Sequence, residues 1–547
     1  TVSGVLSARF LGLPEQHRHV LQVASVIGRT FQTGLLSKVG GLYQFDKVME
    51  DLVGAEFLRL RSREEYLFYL ALTHEVVYNS LLISTRRDLH RRVGERLEQE
   101  LGEQRAENPQ LPGRHFLEGE APHKALGYLF LSGQHAHRNF ANLEAIQCYI
   151  QCLAILESGE DLPPHPTRSE VLLALADILG TTGQYETALQ HLEGALALHD
   201  DPSARAEILR RLGNILNLQG KYREAMDRYE EGLAANALKP DPLVQARILQ
   251  DQSLSLFRQG QYAEVVALCE ASLDTLDGSQ HLKEIAMAES ILGLVCYRQN
   301  RHEEAEAYHR GALAKREAIE ALFGIASSLN NLGVLYLESG EWTSAYEHYV
   351  RSLTIYQQIG DISRQIIQLL NLSDLLRNQG ELQPALQHYK QVRDLSDQSQ
   401  DSFGRALSTV GIGMVFLEAG QTADAVGQLT EGIARLEEIN AREVLPEALV
   451  ALARCQIQDG LRAEARESLS RAIALANENS SSLQIGMALG IQALLDLEEG
   501  DLAGARTTIQ EAVSALRDGG SLIHLARGLA IEAMVLDAAG EPAEAEA

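Results

Sequence analysis

Aromatic side chains are scarce in this chain of 547 residues, where they make up 5% of the sequence and include a single tryptophan. Apolar residues nevertheless reach 45%, so a large core has to be built mainly from alanine and leucine, which favours closely packed helices. No run of 18 uncharged apolar residues occurs. The sequence therefore predicts no membrane-spanning helix and no membrane partner.

Cysteine is also rare, with five residues scattered along the chain. This usage favours a reducing compartment, and we expect a cytoplasmic protein. Cys148 and Cys152 lie one helical turn apart, but no second Cys/His pair accompanies them. We predict that they are small buried hydrophobic residues and that the chain holds no metal.

Motifs for catalysis are missing as well. No G-x-x-x-x-G-K-[ST] phosphate loop occurs, and Gly220-Lys221 lacks both the preceding glycine and the following Ser/Thr. The pairs His74-Glu75 and His302-Glu303 lack the second histidine of a metalloprotease helix. We expect this chain by itself to be no enzyme and to carry no cofactor.

Glycine, in contrast, recurs with a period of 40 residues, and the same period holds for a small residue seven positions earlier. A fixed period of this length predicts one supersecondary unit stacked many times, whose usual role is binding. The small positions from the middle of the chain onward are Gly213, Ser253, Gly293, Gly333, Ser373, Gly413, Ala453, Ala493 and Ala533.

One unit shows what the repeat is. Gly333 lies in a helical pattern that ends at Gly340, and a second amphipathic pattern then carries Trp342, Ala345 and Tyr349. We expect Ala345 to pack beside Gly333, because both lack bulk where two helices cross. The order small, glycine, aromatic, alanine, aromatic resembles the tetratricopeptide repeat, in the 40-residue form of kinesin light chain. The resemblance implies an all-α, right-handed superhelix of about eleven helix pairs over residues 126–547, with the last repeat truncated.

The first 120 residues do not follow this period. They predict three helices, two β-strands joined by a polar turn, and one long helix, which together indicate a small winged-helix domain over residues 1–105. A linker at 106–125 contains Pro109, Pro112 and Gly113. The predicted helices are Glu15–Ile27, Leu35–Val39, Phe45–Phe57 and His74–Leu101, and the predicted strands are Leu58–Arg61 and Tyr66–Leu72.

Charge argues against nucleic acid as a partner. The net charge is −27, and residues 121–547 hold 33 basic and 59 acidic side chains. The third helix, which would read DNA in a winged helix, carries Asp46, Glu50, Asp51 and Glu56 against Lys47 alone. Both features repel phosphates and favour neutral or basic peptides.

The N-terminal segment resembles the winged-helix region of bacterial STAND-type signalling ATPases. The resemblance rests on the segments Leu13–Phe31, Leu72–Leu82 and Leu89–Val93. It implies that the chain is the regulatory part of such a protein, with ATP or ADP bound by an ATPase domain missing upstream, which is also its intramolecular partner. By position, His74 matches a histidine that contacts the ADP phosphate in several members, and a helix-entry histidine that only packs is the alternative.

The same resemblance implies a sensor array that binds a peptide, a protein or a small inducer. The first helices of the pairs should line the concave face, through positions −3, −2, +1 and +4 from each small residue. The polar side chains predicted there are Arg210, Arg211, Asn214, Asn217, Gln250, Asp251, Asn330, Asn331, Asn371, Asp374 and Arg377. A passive interaction scaffold, and the ligand-sensing part of a transcription activator or nucleotide cyclase, remain alternatives.

Overall fold

A computed structural model describes residues 2–540, apart from 43–44, 103–107, 140, 159–161, 277 and 279. The chain divides into two compact units, Thr1–Pro240 and Asp241–Ala547. Two predictions fall outside the described residues. One is the domain boundary between residues 105 and 106, and the other is the truncation of the last repeat.

The first unit opens with a small mixed segment around its own apolar core. A three-stranded antiparallel sheet, in the order β1-β3-β2, packs with the helices that surround it. Phe31 and Leu60 both pair with Tyr66 on the central strand. The elements are α1 (Val2–Leu11), α2 (Glu15–Ile27), β1 (Thr30–Gln32), α3 (Thr33–Gly40), α4 (Asp46–Gly54), β2 (Leu58–Ser62), β3 (Glu65–Phe68), α5 (Ala71–Asn79) and α6 (Ile83–Leu101).

Four features of the N-terminal region differ from the prediction. Helix α1 and strand β1 were not expected, since β1 is only three residues long. The helix predicted over His74–Leu101 is two helices, because Leu82 adopts an extended conformation (φ −61°, ψ 145°) between α5 and α6. The predicted linker contains a helix, α7 (Gln110–Glu118), whose Phe116 is buried.

Helix pairs of nearly constant length make up the rest of both units. Most helices have 17 residues and are joined by three-residue turns, so two helices and two turns give the 40-residue period. In the first unit they are α8 (Pro122–Arg138), α9 (Asn142–Glu157), α10 (Arg168–Thr181), α11 (Tyr185–Leu196), α12 (Pro202–Leu218) and α13 (Tyr222–Leu238).

The second unit continues the same series of pairs. It begins at α14, and α28, the last described helix, takes the first-helix position of a pair. Its helices are α14 (Pro242–Arg258), α15 (Tyr262–Asp274), α16 (Leu282–Arg298), α17 (His302–Ala318), α18 (Leu322–Glu338), α19 (Trp342–Ile359), α20 (Ile362–Asn378), α21 (Leu382–Ser399), α22 (Ser402–Glu418), α23 (Thr422–Glu438), α24 (Leu445–Gln458), α25 (Arg462–Glu478), α26 (Ser482–Glu498), α27 (Leu502–Gly519) and α28 (Leu522–Ala538).

The periodic glycines end the first helices in the left-handed conformation, as predicted. Gly340 has φ +79°, and Asn300, the one non-glycine at this position, has φ +58°. Where the small residue of a repeat is glycine, as at Gly213, Gly293, Gly333 and Gly413, it admits the side chain 16 positions later. A β-carbon at Gly333 would lie 2.6 Å from the ring of Tyr349. Tyr349 is thus the nearest side chain to this position. The expected approach of Ala345 to Gly333 stays a prediction.

Candidate ligand-binding surface of the repeat array

The predicted groove residues fall in both units. In the first unit they lie on α12, where Arg210 and Arg211 both bind the Glu207 carboxylate, at 2.7 Å and 3.2 Å. Arg211 also reaches Asp177 on α10 at 2.9 Å. These contacts join neighbouring first helices of the array.

The two asparagines of α12 lie deeper. Asn214 accepts a hydrogen bond from the Tyr229 hydroxyl at 2.6 Å, and Asn217 is only 7% exposed. Both amides therefore belong to the packing between α12 and α13 more than to an open surface.

In the second unit, Gln250 and Asp251 lie on α14. Gln250 is 3% exposed, and its amide donates to the Ser272 hydroxyl and to the Glu284 carbonyl oxygen. Its burial corrects the expectation that it projects into a groove. Asp251 is half-buried.

Asparagines of α18 and α20 form a small amide network. The Asn330 side-chain oxygen accepts from Asn371 at 3.0 Å and from Gln368 at 2.7 Å, and Asn331 accepts from Asn330. Asn330, Asn331 and Asn371 are half-buried, so this network lies at the surface of the first helices. It holds α18 and α20 in register.

Arg377 organises a second network that we call the Arg377 network, comprising Asp374, Arg377, Tyr389 and Glu418. Its guanidinium donates to Glu418 on α22 at 2.9 Å and to Asp374 at 3.3 Å. The Tyr389 hydroxyl donates to the same Asp374 oxygen at 2.5 Å. Desolvation lowers the pKa of Arg377, but its interactions with Tyr389, Asp374 and Glu418 outweigh this and hold the pKa well above its usual range, so the arginine stays charged.

The first of two cavities, the α20–α22 cavity, has a volume of about 440 Å³. Asn371 and Asp374 lie on its polar side. Its other walls are mainly apolar and include Ile366, Ile367, Leu370, Phe403, Leu407, Val410 and Met414. Gly411 permits this shape, because a β-carbon there would lie 2.2 Å from the ring of Tyr389.

The α24–α28 cavity also measures about 440 Å³. Four ionisable side chains line it, and they come from three different first helices. They are Glu418, Arg454, His524 and Arg527. The remaining wall is apolar or glycine, with Val450, Gly486, Met487, Gly490, Ile491, Leu494, Leu516, Gly528, Ala530 and Ile531.

The repeat register explains which residues reach these cavities. On α20, α22 and α26, the residues that line the cavities stand three and two positions before the small residue and one position after it. On α22, for example, these are Val410, Gly411 and Met414, counted from Gly413. Position −6 was not foreseen. In each of the last five repeats, the residue six positions before the small residue also lines a cavity. These residues are Ile367, Leu407, Glu447, Met487 and Arg527.

The residues predicted from the sequence do not include any from the C-terminal repeats, because the prediction favoured amides and paired charges. Arg454 occupies position +1 and could have been found by the same rule. Glu447 and Arg527 could have been found only with the −6 position. Desolvation and the nearby charge of Asp374 raise the pKa of Glu447.

Helix α28 also approaches helices far back in the second unit. Arg527 donates to the side-chain oxygen of Asn378 at 3.2 Å. A β-carbon at Gly520 would lie 2.8 Å from the side-chain oxygen of Asn300. The second unit therefore turns back on itself, and the α24–α28 cavity lies beside this contact.

His74 lies at the start of α5 in the first unit. Its Nε2 donates to the Ser25 carbonyl oxygen at 2.9 Å, and its ring packs edge-on against Phe68 and parallel to Tyr78. Desolvation lowers the pKa of His74, so the ring is neutral at neutral pH. The nucleotide role of His74 stays a prediction.

Comparison with family models gives two matches. Residues 286–547 match the MalT-like TPR region, and residues 169–237 match the tetratricopeptide repeat. The chain is a tandem array of tetratricopeptide-type helix pairs. No curated protein sequence matches it.

Solved structures with similar folds share little sequence with it. A STAND protein with a tetratricopeptide repeat sensor from Pyrococcus horikoshii is 13% identical with a TM-score of 0.44, and the match covers 79% of this chain. This chain spans 65% of that protein's length. A Rap protein complexed with competence and sporulation factor is 15% identical with a TM-score of 0.44, covering 63% of this chain and 99% of its own. The apo form of RapI is 13% identical with a TM-score of 0.44, covering 62% and 98%.

None of the described helices is long and apolar enough to cross a lipid bilayer. Within the described residues, no three His, Cys, Asp or Glu side chains come together as metal ligands. Cys152 is buried, and burial raises the pKa of its thiol to about 12.

Proposed function

We propose that this chain is the regulatory sensor portion of a STAND-type signalling ATPase. Its ligand is a peptide, a protein or a small inducer. It binds the surface formed by the first helices α20, α22, α24, α26 and α28 of the second unit, which we call the first-helix wall. The observation that carries ligand binding is the pair of cavities on this wall, each of about 440 Å³. Ligand pockets have this size, with mainly apolar walls and a few fixed polar groups.

The polar groups of the wall are already held in place. Arg377 bridges α20 and α22, and its partners Asp374 and Glu418 border different cavities. A ligand that meets groups fixed in this way loses little affinity to ordering them. The wall is thus suited to specific recognition, whereas a passive scaffold needs no such cavities.

A mechanism for sensing follows from the stacking of the helix pairs. Each helix-pair repeat contacts mainly the repeats next to it. A ligand that spans α22, α24, α26 and α28 therefore fixes the spacing of four repeats at once. The helices held by the ligand become less mobile, and this loss of mobility passes from repeat to repeat toward the N-terminal end of the array. The proposal places the responding ATPase beyond that end, in the order expected for STAND proteins.

The N-terminal segment supports the STAND part of the proposal through its residues and its element order. Four helices, α1 to α4, precede the β2–β3 hairpin, and His74 follows it in the first turn of α5. We propose that this segment is a winged helix that contacts the ATPase domain. Because no phosphate loop occurs in the chain, nucleotide binding is assigned to the upstream domain.

The ligand site is tested by selecting displayed random peptides on the immobilised whole chain. The variant Gly490→Leu fills the α24–α28 cavity, since a β-carbon there meets only Ile531, at 3.6 Å. Gly427→Leu is the matched control, because Gly427 lies on α23, a second helix, with nothing within 4 Å of its β-carbon position. Both changes replace a helical glycine, so both variants should remain folded.

We expect selected peptides to bind Gly490→Leu at least about ten-fold more weakly than the control. Hydrogen exchange with a selected peptide should show protection on α22, α24, α26 and α28. If the peptides bind both variants equally, or protect only second helices, the first-helix wall is not the recognition surface.

A further inference from the structure

The α24–α28 cavity carries positive charge that the surrounding protein does not neutralise. Among the described residues, the Arg454 guanidinium has no hydrogen-bond or ion-pair partner, although it lines the cavity. Arg527 has a neutral hydrogen-bond partner, the amide oxygen of Asn378. A cavity-lining guanidinium without a carboxylate partner is the feature that anion-binding sites share.

The other ionisable groups on the wall leave this charge in place. Glu418 binds Arg377 and also lines the cavity, so the lining holds two arginines against one carboxylate. His524 is neutral, because desolvation and the charge of Arg527 lower its pKa to about 4. Desolvation and the positive charges of Arg377 and Arg454 also lower the pKa of Arg527, and the carboxylates of Glu418 and Glu447 offset this lowering only in part. The arginines thus repel one another in the absence of an anion.

The rest of the cavity is apolar. Val450, Met487, Ile491, Leu494 and Ile531 line it together with the arginines. The glycines keep this space open. At Gly486 a β-carbon would lie 2.6 Å from Leu516, so a larger residue would disturb the packing. The cavity therefore combines a mainly apolar lining with two arginines.

We propose that the α24–α28 cavity binds a ligand with an apolar body and a terminal carboxylate, which Arg454 and Arg527 receive together. The inference rests on the proposed function and specifies its ligand class. Arg454 is on α24 and Arg527 is on α28. One carboxylate bound by both arginines would therefore connect the two repeats on either side of α26. The local charge is opposite in sign to the net charge of −27, so the preference differs from that of the chain as a whole.

Three probes of equal chain length separate charge from apolar burial. Octanoate, 1-octanol and octylamine are titrated into the whole chain by calorimetry. We expect octanoate to bind at least about ten-fold more tightly than the alcohol, and the amine not to bind. The double variant Arg454→Gln/Arg527→Gln should lose that preference, and the apolar contribution should remain.

The control removes the same amount of charge elsewhere. Arg435→Gln/Arg471→Gln changes two arginines on α23 and α25, which pair with Glu431 and Glu437 and do not line the cavity. It should bind octanoate as the wild type does. Equal binding of octanoate and octanol, no octanoate binding, or equal loss in both double variants would overturn the proposal.

The carboxylate could belong to a free acid or to the C-terminus of a peptide. Acetylated tetraleucine with a free carboxylate, and the same peptide amidated, distinguish these sources. Tighter binding of the free-carboxylate peptide than of octanoate assigns a peptide end, and the reverse assigns a free acid. If Gly490→Leu blocks the displayed peptides while Arg454→Gln/Arg527→Gln leaves every carboxylate probe unaffected, the ligand class is wrong and the ligand site still stands.

Discussion

The ring of Tyr349 occupies the space beside Gly333, where a β-carbon would lie 2.6 Å from its Cε1 atom. Tyr349 is 1% exposed, so the ring has no free direction in which to move. We predict that Gly333→Ala lowers the free energy of unfolding by about 1–3 kcal/mol through overpacking. Thermal unfolding followed by circular dichroism measures the change.

Gly427→Ala provides the control for this prediction. Nothing lies within 4 Å of its β-carbon position, and Gly427 is within helix α23. Alanine should stabilise this helix by about 0.5–1 kcal/mol. If both variants shift the midpoint equally, the small position is not packed as the structure shows.

Arg377 is the second position where a substitution should be costly. Its side chain is 9% exposed and binds both Asp374 and Glu418. We predict that Arg377→Met destabilises the chain by about 2 kcal/mol, because two carboxylates then lose their partner in a partly buried place. Chemical denaturation should show this as a lower midpoint with an unchanged slope.

The exposed pair Arg435–Glu431 gives the comparison. Its side chains are 38% and 45% exposed, so Arg435→Met should change stability by less than about 0.5 kcal/mol. Similar losses in both variants would mean that the Arg377 network contributes no more than an ordinary surface pair.

Two buried histidines predict how stability depends on pH. His90 and His115 contact each other through their Nδ1 atoms at 2.9 Å, so at least one ring must be neutral to accept. Burial lowers the pKa of His90 to about 4 and that of His115 to about 3. Both contribute stability above their unfolded pKa of 6.5, and this is lost as the pH falls toward 4.

The loss should reach on the order of 3 kcal/mol near pH 4.5, measured as a fall in melting temperature between pH 7 and pH 4.5. His115→Gln should make this fall shallower, because one proton-binding group of the unfolded chain is removed. His165→Gln is the control, since the His165 side chain is 74% exposed. Equal slopes for the two variants would contradict the assignment.

Nucleotide binding gives a fourth prediction. We expect this chain to show no ATP hydrolysis and no ADP affinity by calorimetry, since no phosphate loop is present. In a protein that joins this chain to the ATPase domain proposed to lie upstream, His74→Ala should weaken ADP retention. ADP content after purification measures it, and unchanged content would remove His74 from nucleotide sensing.

His74→Ala also has an expected structural effect. The variant loses the hydrogen bond to the Ser25 carbonyl and the packing against Phe68. We therefore expect a loss of about 1–2 kcal/mol in stability, which must be separated from the effect on ADP. His74→Gln can keep the hydrogen bond and should recover part of the stability without restoring ADP retention.

The repeat architecture could be predicted from the sequence because each unit uses local rules. Gly340 and its equivalents end a helix through the left-handed conformation, and the helix Glu15–Ile27 was predicted to the residue. Strand β1 could not be predicted, because three residues carry too little periodicity and its pairing with β3 is non-local. The break at Leu82 was missed for a similar reason, since apolar residues continue across it.

The candidate site depended on the tertiary structure. Polar identity alone suggested that Gln250 faces a groove, but its neighbours Ser272 and Glu284 bury it. Arg454 and Arg527 are 73 positions apart in the sequence, and only the stacking of α24, α26 and α28 brings them to one cavity. The sequence by itself determined the repeat and its register, because these follow from turn conformation and side-chain size within 40 residues. The structure decided which first-helix positions form cavities, because a cavity depends on the packing of helices from several units.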